Sequence, residues 1–291
     1  MNPEKSIKNI LKSQKLAPSK KLGQNFLVHR QTSERIVELA EVTTADTIIE
    51  LGVGLGSLTQ PLAEKVGRVI GIELDSGIIE YHQQKKVLPD NVSLIHQDLL
   101  KSDFHDLAAQ SGGKLKIMAN LPYSISNPLL FKLIETRDSM AWAVLMLQKE
   151  VGQRLTAEVG TKNYGVLSVL LAACASVKTL MQVGPGNFHP RPKVDSVVVK
   201  IIFDPVPERV AKLAPHDSKL LRKLVNAAFQ QRRKTLINAL SSANLEGLDK
   251  EALAQLLPTV EIDPKIRAER LTIEDYIRLT NAVENWLKNQ T

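Results

Sequence analysis

Cysteine is almost absent from this sequence, and hydrophobic runs of membrane-spanning length are absent altogether. Cys174 is the single cysteine among 291 residues, so no disulfide can form within the chain, and we expect a reducing, cytoplasmic compartment. The longest apolar run, residues 166–177, falls short of the ~20 residues that a membrane helix needs. No hydrophobic signal-peptide core is evident near the N-terminus, and the six histidines show no metal-ligand spacing. We therefore expect a soluble protein without a membrane partner or a bound metal.

Acidic residues are in deficit, with 31 Asp and Glu against 38 Lys and Arg, which gives a net charge of +7. Residues 1–30 contribute most of this excess, because they hold seven basic side chains and one acid. Such a basic arm is either a solvated tail or a site for a polyanion, since counterion release favours each phosphate contact. Both interpretations remain open from charge alone.

Strand-like and helix-like segments alternate from residue 47 to about residue 203. This alternation predicts a Rossmann-like α/β fold with a mostly parallel, doubly wound sheet. A Gly- and Pro-rich loop joins the last two predicted strands, which indicates a hairpin and one antiparallel strand. The predicted strands cover residues 47–51, 68–73, 92–95, 115–119, 141–147, 177–183 and 194–203.

The segment Asp-Pro-Val-Pro at residues 204–207 marks a predicted domain boundary. Beyond it, residues 217–242, 248–257 and 273–289 are predicted helices, and no strand is evident. We therefore predict three parts: a basic arm at 1–30, an α/β domain at 31–205 and a small helical domain at 206–291.

A glycine-rich loop, ELGVGLGSLT, follows the first predicted strand directly. Gly52, Gly54 and Gly56 permit a sharp turn and let a ligand approach the backbone. Ser57 stands where a dinucleotide fingerprint has its last glycine. Taken alone, this spacing also fits an ordinary tight turn.

Two carboxylates favour a cofactor site at the glycine loop. Glu73 ends the second strand, where an acid can accept hydrogen bonds from both hydroxyls of a ribose. Asp98 follows the third strand and can accept a hydrogen bond from an adenine amine, although it equally suits a helix N-cap. Because the carboxyl ends of parallel strands face one crevice, the pattern suits an adenosyl ligand without a pyrophosphate. S-adenosylmethionine is the obvious candidate.

The fourth strand ends beside the same crevice in Asn120-Leu121-Pro122-Tyr123. The Asn120 side-chain carbonyl and the Leu121 backbone carbonyl could hold the two N–H bonds of a base amine and localise its lone pair. Pro122 stiffens the turn, and Tyr123 can stack on the base. Phe188 could form the other wall of this slot. The alternatives are a plain Asx-turn for Asn120 and, for Phe188, an apolar plug at the sheet edge.

The motifs together resemble those of bacterial 16S ribosomal RNA adenine N6,N6-dimethyltransferases, the small-subunit dimethyladenosine transferase family. The sequence is also similar to the erythromycin-resistance ribosomal methyltransferases. The resemblance spans nearly the whole chain and rests on a specific set of motifs. These are KKLGQNFL (20–27), ELGVGLG, IGIELD, QDLL, ANLPYSIS, FHPRPKVDS and FQQRRKTL (229–236).

The resemblance implies which residues bind the cofactor and where the enzyme acts. Asn25 and Leu27 would help enclose S-adenosylmethionine, in company with Gly52, Gly54, Glu73, Asp98 and Asn120. The implied substrate is a pair of adjacent adenosines in a hairpin loop near the 3′ end of small-subunit rRNA, within a 30S assembly intermediate. Each adenosine would receive two methyl groups. Val53 departs from the proline or alanine of many relatives and should only tune the turn.

Basic side chains in the predicted helical domain and the arm are candidate contacts to RNA. If residues 217–242 form one helix, Arg222 aligns with Arg233 and Lys223 with Lys234, which gives a basic face. A solvated charged face is the alternative. Arg232 would fall in the apolar stripe, so it snorkels, pairs with a buried acid or marks a helix break near Gln230. Lys20 and Lys21 complete the candidate RNA contacts.

Three other functions compete with this interpretation. A DNA adenine-N6 methyltransferase would use the same chemistry, but such proteins usually carry a larger target-reading domain. An NAD-dependent oxidoreductase is disfavoured by Ser57 and by the lack of a plausible hydride-relay pair. An RNA-binding assembly factor without essential catalysis remains open as an added role.

Overall fold

The structure is a computed structural model that describes residues 24–243, 245 and 247–289. Two compact units divide the chain. The first extends to Gly152 and resumes at Val177–Pro205, and the second comprises Gln153–Ser176 and the chain from Val206 onwards. The basic arm predicted at 1–30 lies mostly outside the described residues, and so do Lys20 and Lys21.

A seven-stranded sheet forms the centre of the described part of the first unit, with strand order β4-β3-β2-β5-β6-β9-β7. Neighbouring pairs from β4 to β6 are parallel, and β9 is antiparallel to β6. The predicted Rossmann-like sheet with one antiparallel strand is therefore confirmed. Its strands are β2 (Thr47–Leu51), β3 (Arg68–Glu73), β4 (Val92–His96), β5 (Leu115–Asn120), β6 (Met140–Gln148), β7 (Ser176–Val183) and β9 (Ser196–Ile202).

Two short strands form a separate antiparallel ribbon. These are β1 (Phe26–Leu27) and β8 (Phe188–His189), in which Leu27 pairs with Phe188. Neither strand was predicted, because a two-residue strand has no periodicity that a sequence pattern can show.

Helices cover the strands of the first unit, and their ends are specified by local chemistry. Asp75 and Asp103 each accept backbone N–H bonds at the start of a helix, which is the usual role of an N-cap. The helices are α1 (Arg30–Ala40), α2 (Thr59–Ala63), α3 (Ser76–Lys85), α4 (Phe104–Ser111), α5 (Ser126–Glu135) and α6 (Lys149–Leu155), the last of which runs across the unit boundary.

The central strands are buried on both faces, as expected for a parallel sheet. Ile48, Ile49, Leu51, Ile117 and Met118 all have 0% of their surface exposed. This rigid core brings the carboxyl ends of β2, β3 and β5 to one edge of the sheet.

The second unit is helical within the described residues, as predicted, but it includes residues 153–176, which we had assigned to the α/β domain. Tyr164 explains the difference, because its ring packs edge-on against Phe229 and its hydroxyl donates to the Leu271 carbonyl oxygen at 3.0 Å. The helices are α7 (Val166–Ala172), α8 (Glu208–Ala211), α9 (Ser218–Gln230), α10 (Leu236–Ser241), α11 (Lys250–Thr259) and α12 (Ile273–Lys288). In the described chain no helix has both the length and the hydrophobicity that crossing a bilayer requires.

The prediction of a single helix at 217–242 is wrong, because the helical conformation is interrupted between the end of α9 and the start of α10. Arg232 lies in this break, and its guanidinium donates to the carbonyl oxygens of Lys162 and Tyr164 at 3.0 Å each. Two of the three interpretations of Arg232 are therefore supported: it lies at a helix break, and its Nε is 3.9 Å from the Oε2 of the mostly buried Glu269. The break also removes the predicted alignment of Arg222 with Arg233 and of Lys223 with Lys234.

Gly67 provides a test of the packing in the first unit. A Cβ atom at this position would lie 2.6 Å from the carbonyl oxygen of Thr44, and a backbone atom cannot move aside cheaply. We expect Gly67→Ala to lower the free energy of unfolding by about 1–3 kcal/mol in urea denaturation. Gly113→Ala is the matched control, because no atom lies within 4 Å of its Cβ position. Equal urea midpoints for the two variants would contradict the packing described.

Candidate active site

A cavity opens in the first unit where β2, β3 and β5 end. Its empty volume is about 1090 Å³, which includes the open mouth. The residues lining it come from five places in the chain: the segment 24–27, the glycine loop, the end of β3, the loop after β4 and the turn after β5.

The glycine loop follows β2 in a backbone conformation that favours glycine. Gly52, Gly54 and Gly56 have φ angles of 77°, 54° and 81°. A Cβ at Gly52 would also lie 2.8 Å from a methyl group of Leu121, which would have to shift to make room. The loop therefore holds the glycine backbone against the turn after β5, and both line the cavity.

Glu73 stabilises the glycine loop at the end of β3. Its Oε2 accepts a hydrogen bond from the Gly54 N–H at 2.9 Å, and its Oε1 accepts from the N–H groups of Leu74 and Asp75. These three bonds fix the carboxylate, while Oε2 retains a lone pair for a further donor. Glu73 lines the cavity, and its predicted contact to a ribose stays a prediction.

Asp98 lines the cavity from the loop after β4. Its Oδ1 accepts a hydrogen bond from the Leu100 N–H at 2.9 Å, so the side chain closes a local turn. The following helix, α4, is capped by Asp103. The alternative role of Asp98 as a helix N-cap is therefore not seen.

Glu50 is a residue of this site that the motif analysis missed. It lies on β2 directly before the glycine loop, lines the cavity and is 1% exposed. Its Oε2 has no hydrogen-bond partner among the described residues. Burial raises the pKa of Glu50 to about 8, and the negative charge of Glu73 adds to this rise. The available signal was an acid within the apolar strand TIIEL.

Asn120 projects from the end of β5 with a defined orientation. Its Nδ2 donates to the backbone carbonyl oxygen of Asn25 at 3.3 Å. Because the nitrogen is used in this way, Oδ1 is left as an acceptor toward the cavity that Asn120 lines. Leu121 and Pro122 line the same cavity. Tyr123 follows in a 3₁₀ turn and is not among the lining residues.

Phe188 is not among the residues that line the cavity, although its strand partner Leu27 is, and its predicted role as a wall of the base slot stays a prediction. Its side chain is 3% exposed and packs in a hydrophobic cluster with Leu27, Val183 and Val198. An aromatic ring needs a free face to stack on a base, and this structure presents none at Phe188. The placement agrees with the alternative interpretation of Phe188 as an apolar plug.

The segment 24–28 closes one side of the cavity through contacts with three separate loops. The Ser57 hydroxyl donates to the Leu27 carbonyl oxygen at 2.8 Å, and Gln24 donates to the Asp75 carboxylate at 3.2 Å. The bond from Asn120 to Asn25 is the third contact. Composition and periodicity could not have identified Asn25 and Leu27 as lining residues, which only the family resemblance implied.

The candidate RNA contacts that the structure describes belong to the second unit. Lys223, Arg233 and Lys234 are exposed, whereas Arg222 is half-buried. Over the described part of the chain, no cluster of His, Cys, Asp and Glu is arranged to hold a metal ion.

Comparison with known proteins identifies the family. The model of a family described as ribosomal RNA adenine dimethylase matches residues 16–285. The chain belongs to this family. Ribosomal RNA small subunit methyltransferase A of Desulfotalea psychrophila is 52% identical over 94% of each chain. The protein of the same name from Geobacter metallireducens is 43% identical, over 91% of this chain and 94% of its own.

Solved structures show the same architecture. A dimethyladenosine transferase from Plasmodium falciparum is 27% identical, with a TM-score of 0.73 over 90% of this chain and 98% of its own. The 23S rRNA methyltransferase ErmE is 20% identical, with a TM-score of 0.60 over 89% of this chain and 100% of its own. The second comparison supports the fold alone.

S-adenosylmethionine is the methyl donor that membership of this family indicates, and the cavity fits it. The cofactor carries a sulfonium and an ammonium group, and a buried carboxylate without a partner is a natural counter-charge for a cation. Glu50 has such an unpaired oxygen. It is protonated below about pH 8 in the free protein, and a bound cation would lower its pKa and so produce the counter-charge. Apolar neighbours such as Ile72 and Leu99 suit an adenine ring.

Because the pKa of Glu50 is raised in the folded protein, the free energy of unfolding depends on pH. Between about pH 4.5 and pH 8 the unfolded chain loses this proton while the folded protein keeps it, so stability falls as pH rises. Glu50→Gln removes the effect. We expect the variant to match the wild type in urea denaturation near pH 4.5 and to exceed it at pH 8.5 by on the order of 4 kcal/mol. A stability difference that does not change with pH would contradict the assignment.

Proposed function

We propose that this member of the ribosomal RNA adenine dimethylase family methylates two adjacent adenosines in a hairpin loop near the 3′ end of small-subunit rRNA. Each N6 receives two methyl groups from S-adenosylmethionine. The small-subunit methyltransferases that are 52% and 43% identical to this chain support the choice of rRNA. The observation that carries the chemistry is the oriented amide of Asn120, which lines a cavity that fits the cofactor.

Two carbonyl oxygens are the proposed acceptors for the target amine. An adenine amine is a poor nucleophile, because its nitrogen lone pair is delocalised into the ring. The Oδ1 of Asn120 and the backbone oxygen of Leu121 each accept one N–H bond and so favour a tetrahedral nitrogen with a localised lone pair. The sulfonium of the bound cofactor supplies an activated methyl with an excellent leaving group. Rate enhancement then comes mainly from orientation, and the amine proton is released to water after transfer.

Tyr123 is the proposed stacking platform for the base. It follows Pro122 directly, at the turn that presents the two acceptors. Stacking between a base and an aromatic ring contributes about 1–3 kcal/mol. We do not extend this role to Phe188, because its ring is buried in the core.

The cofactor is held by residues that line the cavity, each with a role that follows from its chemistry. Glu73 accepts bonds from the ribose hydroxyls, and Asp98 accepts one from the adenine amine. Gly52 and Gly54 permit close approach of the backbone. Glu50 balances the positive charge once the bound cation has lowered its pKa and it has released its proton. Asn25 and Leu27 close the remaining side, as does Asn120.

The proposed partner is small-subunit rRNA within a 30S assembly intermediate in the cytoplasm. A loop adenosine is already partly unstacked, so its extrusion costs less than in a duplex. Exposed Lys223, Arg233 and Lys234 suit phosphate contacts, and Arg222, Lys20 and Lys21 are further candidates. Family membership weighs against the alternative of a DNA adenine methyltransferase. An additional role as an assembly factor is compatible with the same RNA contacts.

A labelling experiment tests this function. The protein is incubated with methyl-labelled S-adenosylmethionine and undermethylated small subunits, and the RNA is digested to nucleosides. We expect the label in N6-methyladenosine and N6,N6-dimethyladenosine. Label in cytidine or guanosine, or transfer to DNA alone, would reject the proposal.

Asn120→Ala tests the role of the amide in the same assay. Loss of an acceptor that acts in the transition state should lower kcat by about 10²–10³-fold at saturating cofactor. Asn285→Ala, which changes an exposed asparagine of α12, should leave kcat unchanged. An Asn120→Ala variant with full activity would refute the mechanism. If the inactive variant still promotes subunit assembly, the assembly role is separate from catalysis.

A further inference from the structure

The hydroxyl of Tyr123 forms a hydrogen bond that none of the sequence motifs predicted. Its Oη lies 2.7 Å from the Oγ of Ser196. Ser196 is the first residue of β9 and has 0% of its surface exposed. Among the described residues, neither hydroxyl has a second side-chain or backbone partner. The bond thus joins the turn after β5 to a strand two positions away in the sheet.

Ser196 is held in place by strand pairing and burial, whereas the turn that carries Tyr123 has fewer such constraints. Ser196 pairs in register with Gln148 of β6, and the next bond beyond it runs from the Lys149 N–H to the Asp195 carbonyl oxygen at 2.9 Å. Val197 and Val198, which follow, are 5% and 0% exposed. Tyr123, by contrast, is only partly buried and lies in a single 3₁₀ turn.

We propose that Ser196 is a positioning residue for methyl transfer, because its hydroxyl holds the far end of the Tyr123 ring on which the target adenine stacks. This inference rests on the proposed function. Stacking by itself tolerates sliding and tilting of the two rings, whereas in-line attack on a methyl group requires close alignment. A ring held both at its backbone and at its hydroxyl has little freedom to swing sideways, so the surface on which the base stacks keeps its place.

The protonation state of Tyr123 is compatible with this role. Burial raises the pKa of Tyr123, and the bond to Ser196 opposes the rise. The phenol therefore remains neutral around pH 7, and either hydroxyl can act as the donor.

The hydrogen bond between Tyr123 and Ser196, which we call the anchor, should matter more in the transfer of the second methyl group than in that of the first. Unmodified adenine presents two N–H groups to the acceptor carbonyls, whereas N6-methyladenine presents one. Orientation of the methylated base therefore depends to a larger extent on the stacked ring. Loosening of that ring should slow the second methylation selectively, a result that a merely structural serine would not produce.

A double-mutant cycle in the full-length protein tests the inference. Ser196→Ala, Tyr123→Phe and the double variant are assayed on undermethylated small subunits at saturating cofactor, with nucleosides resolved into monomethyl and dimethyl products. Ser33→Ala is the matched control, because Ser33 is also 0% exposed and its hydroxyl has no hydrogen-bond partner among the described residues.

We expect each single variant to lower kcat by about 3–10-fold, as for the loss of one hydrogen bond. The double variant should be no worse than either single one, since both remove the same bond. KM for the subunit should stay unchanged, because phosphate contacts dominate RNA affinity. N6-methyladenosine should accumulate with all three variants but not with Ser33→Ala.

The inference would be overturned if the losses of kcat in the two single variants added up in the double variant. It would also be overturned if Ser196→Ala had the kcat and the ratio of monomethyl to dimethyl product of the wild type. If Ser196→Ala fails to fold, Tyr123→Phe still decides, because wild-type behaviour of that variant excludes an anchor. A wild-type protein that methylates no adenosine would overturn the proposed function together with this inference. An active wild type with unaffected variants overturns the inference alone.

Discussion

The hydrogen bond from the Asn120 side-chain nitrogen to the Asn25 carbonyl oxygen, 3.3 Å long, is the contact on which the site depends. An asparagine amide could face either way, and this bond leaves its oxygen as the acceptor for a base. The same bond holds the segment 24–28 over the cavity, where Ser57 fixes it to the glycine loop. Cofactor enclosure and orientation of the amide are therefore two results of one set of contacts.

The protein as a whole is basic, whereas its cavity is lined by acidic residues, and this distribution suits RNA on the one hand and a cationic cofactor on the other. The chain carries a net charge of +7, which favours RNA. The cavity has the opposite character, because Glu50, Glu73 and Asp98 all line it. A cationic cofactor fits among carboxylates, and an overall basic protein attracts phosphates. One oxygen of buried Glu50 has no hydrogen-bond partner among the described residues, and the raised pKa keeps this group protonated below about pH 8 until a bound cation provides a counter-charge.

The features that sequence predicted well are those set by neighbouring residues. The parallel sheet, the glycine loop and the placement of Glu73, Asp98 and Asn120 at strand ends all follow from local pattern. The errors concern contacts between distant residues. Tyr164 joins residues 153–176 to the helical unit through Leu271, and Arg232, which lies between two helices, bonds to carbonyl oxygens about 70 residues earlier in the chain. Such partners have no local signature.

A crystal structure with adenosine and a cofactor analogue that carries an amine in place of the sulfonium methyl would test the central claim most directly. The account predicts that adenine N6 lies about 2.7–3.2 Å from Oδ1 of Asn120, while Nδ2 still donates to Asn25. The contrary result is an amide turned with its nitrogen toward the base, or an analogue bound outside the cavity at the ends of β2, β3 and β5.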